Sequence, residues 1–125
     1  MTGPRVAVLD YGIGNLRSAQ KALQRAGADA VLTTDPAVAD SADAVVLPGV
    51  GAFGACMDAL RASGLETCVH TAVRDGRPLL GICVGMQMLF DASDEDPAHA
   101  GLGVIPGRVR WIPEGVPRAH RGGST

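Results

Sequence analysis

Five residues carry the sharpest chemical signal in this chain: Gly81-Ile82-Cys83-Val84-Gly85. A thiol with a small residue two positions before and two after suits a tight turn from a strand into a helix. Larger side chains would clash where such a turn brings backbone segments together. The same logic underlies the nucleophile elbow, here with Cys in place of Ser. The turn sets the sulfur at a helix N-terminus, where partial positive charge favours the reactive thiolate. The competing reading is a small buried core residue, the commonest fate of a free cysteine. The pentapeptide alone leaves both open. Cys56 and Cys68 fall on apolar helical faces and read as core.

Two more segments bear on the same chemistry. Pro48-Gly49-Val50-Gly51 closes an apolar run. Its glycines let the backbone turn N–H groups toward a ligand, and beside a thiolate such groups form an oxyanion hole. A plain loop that needs positive φ is the alternative. Gly12-Ile13-Gly14 invites a dinucleotide reading, but the third glycine of that fingerprint falls on Arg17. No acidic residue closes a matching second strand unless Asp35 serves, so nucleotide binding is not the expectation.

The elements that must position these segments follow from periodicity. Arg5-Val6-Ala7-Val8-Leu9-Asp10 reads as a strand buried on both faces. Asn15 is a suitable N-cap for a helix whose face carries Leu16, Ala19, Leu23 and Ala26, with Gly27 as its stop. Residues 28–34 predict a second strand, 36–41 a short helix and 43–47 a third strand. Phe53, Cys56, Met57 and Leu60 stand at helical spacing, and Leu65, Cys68, Val69 and Ala72 repeat it. Residues 78–82 predict a fourth strand, and 84–90, apolar nearly all round, a buried helix. Residues 91–100 read as an acidic loop. Beyond Gly101, frequent Gly and Pro leave room for short strands near Val104 and Val109-Arg110-Trp111. Alternating strands and helices imply an α/β fold, an open parallel sheet with helices on both faces. In such a sheet ligands bind at the carboxyl ends of the strands, where residues 10–15, 48–54 and 81–87 fall.

Composition bounds the rest. A chain of 125 residues, 46% hydrophobic and 19% charged, fits one globular domain. A net charge of -2 gives no reason to expect nucleic acid or an anionic membrane as partner. No apolar run reaches bilayer length, and residues 1–5 lack the pattern of a signal peptide. The 3 cysteines, odd in number and irregularly spaced, read as reduced thiols in a cytoplasmic setting. No Cys-x-x-Cys or His-x-x-x-His pair offers a zinc site, so no metal and no cofactor is expected. Tyr11, Phe53, Phe90 and Trp111 are the aromatics; the core must come from aliphatic residues, Ala and Met.

Taken together, three stretches resemble one family in order and spacing. They are Asp10-Tyr11-Gly12-Ile13-Gly14-Asn15-Leu16-Arg17-Ser18, Leu47-Pro48-Gly49-Val50-Gly51-Ala52-Phe53-Gly54, and Gly81-Ile82-Cys83-Val84-Gly85-Met86-Gln87-Met88-Leu89-Phe90. Gly101-Leu102-Gly103-Val104-Ile105-Pro106-Gly107 continues the likeness. The family is the glutaminase subunit of imidazole glycerol phosphate synthase, a class I glutamine amidotransferase of flavodoxin-like fold. The resemblance covers about residues 5–117, making residues 1–117 the N-terminal part of such a domain and 118–125 a divergent tail expected to be disordered. It implies that Cys83 attacks the side-chain amide of glutamine and forms a thioester. It implies that the N–H groups of Val50 and Val84 hold the oxyanion and that Gly51 and Gln87 seat the glutamine. Ammonia would pass to a cyclase subunit in a heterodimer that serves histidine biosynthesis, with Asn15 at the partner interface.

The resemblance also implies a His and a Glu two residues apart that complete the triad. His70, His99 and His120 are followed two residues on by Ala72, Gly101 and Gly122. After Val116-Pro117 the family reads His-Met-Gly-Trp-Asn, where this chain has Arg118-Ala119-His120-Arg121-Gly122. The sequence thus reads as an incomplete member, and loss of a general base costs roughly 10²–10⁴ in rate. Two rivals stand beside the enzyme reading. One is a non-catalytic remnant that binds the cyclase or another partner; the other is a small thiol protein that uses Cys83 for redox sensing. The DNA downstream discriminates: a second frame encoding Gly-Trp-Asn and a later His-x-Glu favours the enzyme.

Overall fold

The computed structural model describes residues 3–14 and 16–115. The expectations placed on Asn15, as N-cap and as partner contact, and on residues 118–125 lie outside the described residues.

A parallel sheet forms the centre, made of β1 (Arg5–Leu9), β2 (Asp29–Thr33), β3 (Ala44–Gly49) and β4 (Leu79–Cys83) in the order β2-β1-β3-β4. The expected open α/β architecture is therefore observed. The order reverses direction between β1 and β3, so the loops that follow these two strands diverge and leave a crevice at their carboxyl ends. The register pairs Gly49 with Cys83, which sets the end of β3 level with the thiol.

Helices cover both faces unequally. On one side lie α2 (Pro36–Ser41), α3 (Phe53–Ser63) and α4 (Glu66–Arg74). Their inward residues Phe53, Cys56, Met57, Leu60, Cys68, Val69 and Ala72 are fully buried, against Ala7, Leu9, Val45 and Leu47 of the sheet. The spacing expected for α3 and α4 is the spacing found. Asp35 starts α2, its carboxylate accepting from Ala37 N–H at 2.9 Å, with Pro36 in the first turn. On the other side α1 (Leu16–Arg25) packs alone on a small core of Val6, Val8, Ala28 and Val46. Leu16 is its one buried residue, and Ala26 is exposed.

Two expectations are corrected beyond Cys83. The helix read over residues 84–90 is α5, Val84–Met88, and Phe90 opens strand β5 (Phe90–Ser93). A run apolar on every side carries no period, so it cannot mark where helix gives way to strand. The start of the acidic loop is thus strand, and in place of two short strands there is one, β6 (Ile105–Val109), paired with β5. Asp91 makes that pairing work across the Pro106-Gly107 irregularity, accepting from Gly107 N–H at 2.9 Å.

The rest of the acidic segment is tied down by named partners. Asp94 meets Arg108 at 2.7 Å. Glu95 accepts from Phe53 N–H at 2.8 Å, capping α3, whose Ala52 offers no side-chain cap. His99 Nε2 lies 3.1 Å from both oxygens of Asp58 on α3. Its Nδ1 is 2.9 Å from Asp96, an ion-pair distance off the hydrogen-bonding direction. The carboxylates of Asp96, then Asp58, beside the ring raise the His99 pKa above its ordinary value of 6.5.

Two predictions follow from this packing. β4 ends the sheet without a further strand partner among the described residues, and Leu80 on it is 51% exposed. An unpaired apolar edge invites association. The 125-residue chain should melt broadly or aggregate, and Leu80→Lys should reduce association while changing stability by no more than about 0.5 kcal/mol. A sharp, reversible melt of the unsubstituted monomer would contradict this. For His99 the folded pKa lies above the unfolded one. Its stabilising contribution is therefore fully present below about pH 6.5 and lost as pH rises through the raised folded value. Exchange protection of residues 94–99 should fall across that rise, and His99→Gln should remove the dependence.

Candidate active site

Cys83 is the last residue of β4 and directly precedes α5. Its backbone stands at φ 57 and ψ −126, and it is the one non-glycine residue with positive φ among the described residues. Such a conformation costs roughly 1–3 kcal/mol and persists only where the surroundings enforce it. The enforcing contacts are glycine contacts. A Cβ on Gly81 would stand 2.7 Å from Met86 Cα, and one on Gly85 would overlap the Leu47 carbonyl oxygen. The expected requirement for small residues two before and two after Cys83 is thus met by backbone on both sides.

Gly49 adds a contact that the spacing did not reveal. A Cβ there would stand 2.5 Å from Gly85 N and 3.0 Å from Val84 C. The end of β3 therefore lies against the first turn of α5, and the Pro48-Gly49-Val50-Gly51 loop runs beside Cys83. Gly51 takes φ 87, the conformation that suits glycine at this turn.

The three segments singled out by sequence converge here. A cleft of about 450 Å³ is lined by Ile13, Gly14, Pro48, Val50, Ile82 and Cys83, with α1 forming its far wall. Cys83 is the exposed cysteine; Cys56 and Cys68 are buried. Val50 is 55% exposed, so its side chain is not what holds the loop. Val84 packs at the edge of the larger core. Gln87 is half-buried on α5. Gly51 follows Val50 on the loop, and neither Gly51 nor Gln87 lines the cleft.

Two side chains reach the loop from below. Tyr11, buried after β1, donates from its hydroxyl to the Pro48 carbonyl. Burial, with Cys56 beside it, raises the Tyr11 pKa, so the hydroxyl remains a donor. Cys56 Sγ donates to the Val50 carbonyl at 3.2 Å. Sequence reasoning placed Cys56 in the core, which is where it lies, but a thiol's hydrogen bond leaves no mark on helical periodicity.

No histidine and no acidic residue lines the cleft among the described residues. His70 sits on α4 beside Glu66 at 3.4 Å, and His99 is held by Asp58 and Asp96. The site has the geometry of a strained, exposed thiol beside a glycine loop. Among the described residues that line it there is no proton carrier.

A parallel sheet flanked by helices, with a strand that ends in a cysteine elbow, defines a class of α/β proteins. Within it, this chain belongs to the family of CobB/CobQ-like glutamine amidotransferase domains, whose model matches residues 9–114. The chain is similar to "Imidazole glycerol phosphate synthase subunit HisH" of Geobacter metallireducens, 53% identical over 111 residues that make up 89% of this chain and 53% of that one. It is similar to the subunit of the same name from Methanothermobacter thermautotrophicus, 50% identical over 117 residues, 94% of this chain and 58% of that one. A solved structure titled "Crystal structure of glutamine amidotransferase" superposes with a TM-score of 0.72 at 28% identity, over 89% of this chain and 58% of that chain. The chain thus spans little more than half the length of these relatives.

The thiols should differ in reactivity. Cys83 is exposed, whereas burial pushes the Cys68 thiol up to about 11, leaving about one part in a thousand as thiolate at pH 8. Iodoacetamide on native protein, mapped by mass spectrometry, should modify Cys83 at least about ten times faster than Cys56 or Cys68. Equal labelling would remove the basis of the elbow assignment.

Proposed function

We propose that this chain carries the nucleophile and oxyanion portion of a glutaminase that supplies ammonia to a cyclase subunit for imidazole glycerol phosphate synthesis. The observation that carries this reading is the conformation of Cys83, held at φ 57 by glycine contacts beside the loop of residues 48–51. In the proposed reaction the Cys83 thiolate adds to the side-chain amide carbon of glutamine. The carbonyl oxygen takes up the negative charge and accepts from the N–H groups of Val50 and Val84. The carbon–nitrogen bond then breaks as the nitrogen gains a proton, releasing ammonia and leaving a thioester on Cys83. Water cleaves the thioester to glutamate. Gly51 and Gln87 seat the glutamine, the region of Asn15 meets the cyclase, and residues 1–117 form the N-terminal part of the domain. The relatives named as subunits of a synthase support the assignment of a heterodimeric partner.

A second reading, a non-catalytic domain that binds the same partner, draws on the lack of a proton carrier among the described residues that line the cleft. The two readings separate on turnover. Protonation of the leaving nitrogen and activation of water both need a base, and an orienting acid must hold that base. The 125-residue chain should therefore release no ammonia catalytically, even with cyclase added, while Cys83 forms a slow stoichiometric adduct. A version extended with the remaining half of the Geobacter metallireducens relative should turn over glutamine, and Cys83→Ala should abolish that activity. An inactive but folded extended version favours the binding reading. Steady turnover by the 125-residue chain that vanishes in Cys83→Ala would show that another residue serves as base.

A further inference from the structure

We propose that Tyr11 and Cys56 are positioning residues for the Val50 N–H donor, an inference that rests on the glutaminase reading above. The loop that would supply this donor turns two carbonyls, those of Pro48 and Val50, toward the interior. Buried carbonyls need donors, and an unpaired one costs roughly 1–3 kcal/mol. Here the donors come from different elements. The Tyr11 hydroxyl, 6% exposed, reaches the Pro48 carbonyl from the end of β1. The Cys56 thiol, fully buried in the first turn of α3, reaches the Val50 carbonyl at 3.2 Å. Each carbonyl belongs to a planar peptide unit, so each bond fixes a plane: the unit from Pro48 to Gly49 and the unit from Val50 to Gly51. The unit between them, from Gly49 to Val50, carries the Val50 N–H. Among the described residues no side chain bonds to it.

The unit that carries the donor is thus joined at each end to an anchored unit, which narrows the positions it can take. Glycine at position 49 makes these anchors necessary, because it restrains its own dihedrals least. It cannot be replaced, since any Cβ there would meet the backbone of Val84 and Gly85. Glu95 continues the support one step on, holding Phe53 N–H at 2.8 Å where the loop enters α3. An oxyanion donor is effective only when it is oriented before charge develops, so loosening either anchor weakens oxyanion stabilisation without touching the sulfur.

The test uses two electrophiles on the 125-residue chain. The chloromethyl ketone analogue of glutamine reacts through its carbonyl. The thiolate adds to the carbonyl carbon and generates an oxyanion, and sulfur then displaces chloride. Iodoacetamide is attacked at its methylene carbon with loss of iodide and generates no oxyanion. The ratio of the two rates at Cys83 therefore reports the oxyanion site and cancels the fraction of thiolate. Cys56→Ala and Tyr11→Phe should each lower the ratio by about tenfold. Cys56→Ser, which keeps a donor on the same Cβ, should stay within about twofold of the unaltered chain. Cys68 left unlabelled in each variant shows that the fold is kept. An unchanged ratio in Cys56→Ala and Tyr11→Phe overturns the proposal, as does Cys56→Ser falling as far as Cys56→Ala. The underlying reading has its own arm: free glutamine should protect Cys83 of the unaltered chain from the chloromethyl ketone. Absence of protection overturns the glutaminase assignment, and with it this inference.

Discussion

The site depends on a contact in which no side chain takes part. At the end of β3 the backbone of residues 47–49 lies directly against the start of α5, with glycine on both sides of the seam. A Cβ on Gly85 would overlap the Leu47 carbonyl, and one on Gly49 would crowd the Gly85 nitrogen. This approach sets the separation between the loop and the elbow. It also forces the turn at Cys83, because β4 must end level with Gly49 and the chain must then fold back across it. The strain at Cys83 is the local cost of that seam. Sheet pairing and the core beneath it, with Leu47, Met88 and Leu89 buried together, supply what offsets it.

The two faces of the sheet do different work. The face covered by α2, α3 and α4 is densely buried and holds the loop from beneath through Tyr11 and Cys56. The face covered by α1 is thin. Its small core leaves Ile82 part-exposed and opens the cleft beside Cys83. A second apolar hollow, lined by Val6, Leu23, Val46 and Leu80, lies on the same face farther from the thiol. Rigidity and access are thus divided between faces. The anchors are drawn from the densely buried side, and the opening lies on the side with the smaller core.

Much of this organisation was legible in the sequence, for reasons that also explain what was not. α3 and α4 each face one buried surface, so Phe53, Cys56, Met57 and Leu60, then Leu65, Cys68, Val69 and Ala72, stand out by period. The elbow is legible because Gly81 and Gly85 stand two residues either side of Cys83, although only Gly81 answers a contact near in the chain, Met86, while Gly85 answers Leu47 on β3. Three features escaped. The end of α5 is hidden in a run with no polar face. The partners of the acidic segment are remote in the chain: Glu95 caps a helix that starts 42 residues earlier, and His99 pairs with Asp58, 41 residues away. The roles of Tyr11 and Cys56 depend on where two carbonyls point, and that direction is set by the loop's own dihedrals. Sequence reading recovers what is local or periodic; these bonds are neither.

A division within the chemistry follows from the same distinction. Attack on an amide needs a nucleophile in a fixed place and donors aimed at the developing charge. Backbone geometry can meet both requirements, and it draws on segments that are short and close together in the fold. Proton transfer needs a titratable side chain at hydrogen-bond distance, and backbone cannot supply one. His70 and His99 are committed to Glu66 and to Asp58 and Asp96, each on a surface away from the cleft. Redirecting His99 would break the clasp that holds residues 94–99 on α3, and with it the setting of Glu95 at the helix start. The contacts that stabilise the described residues therefore withhold His70 and His99 from the thiol. On the proposed reading, the first bond to substrate can form here, while its release requires a group that these contacts do not leave free.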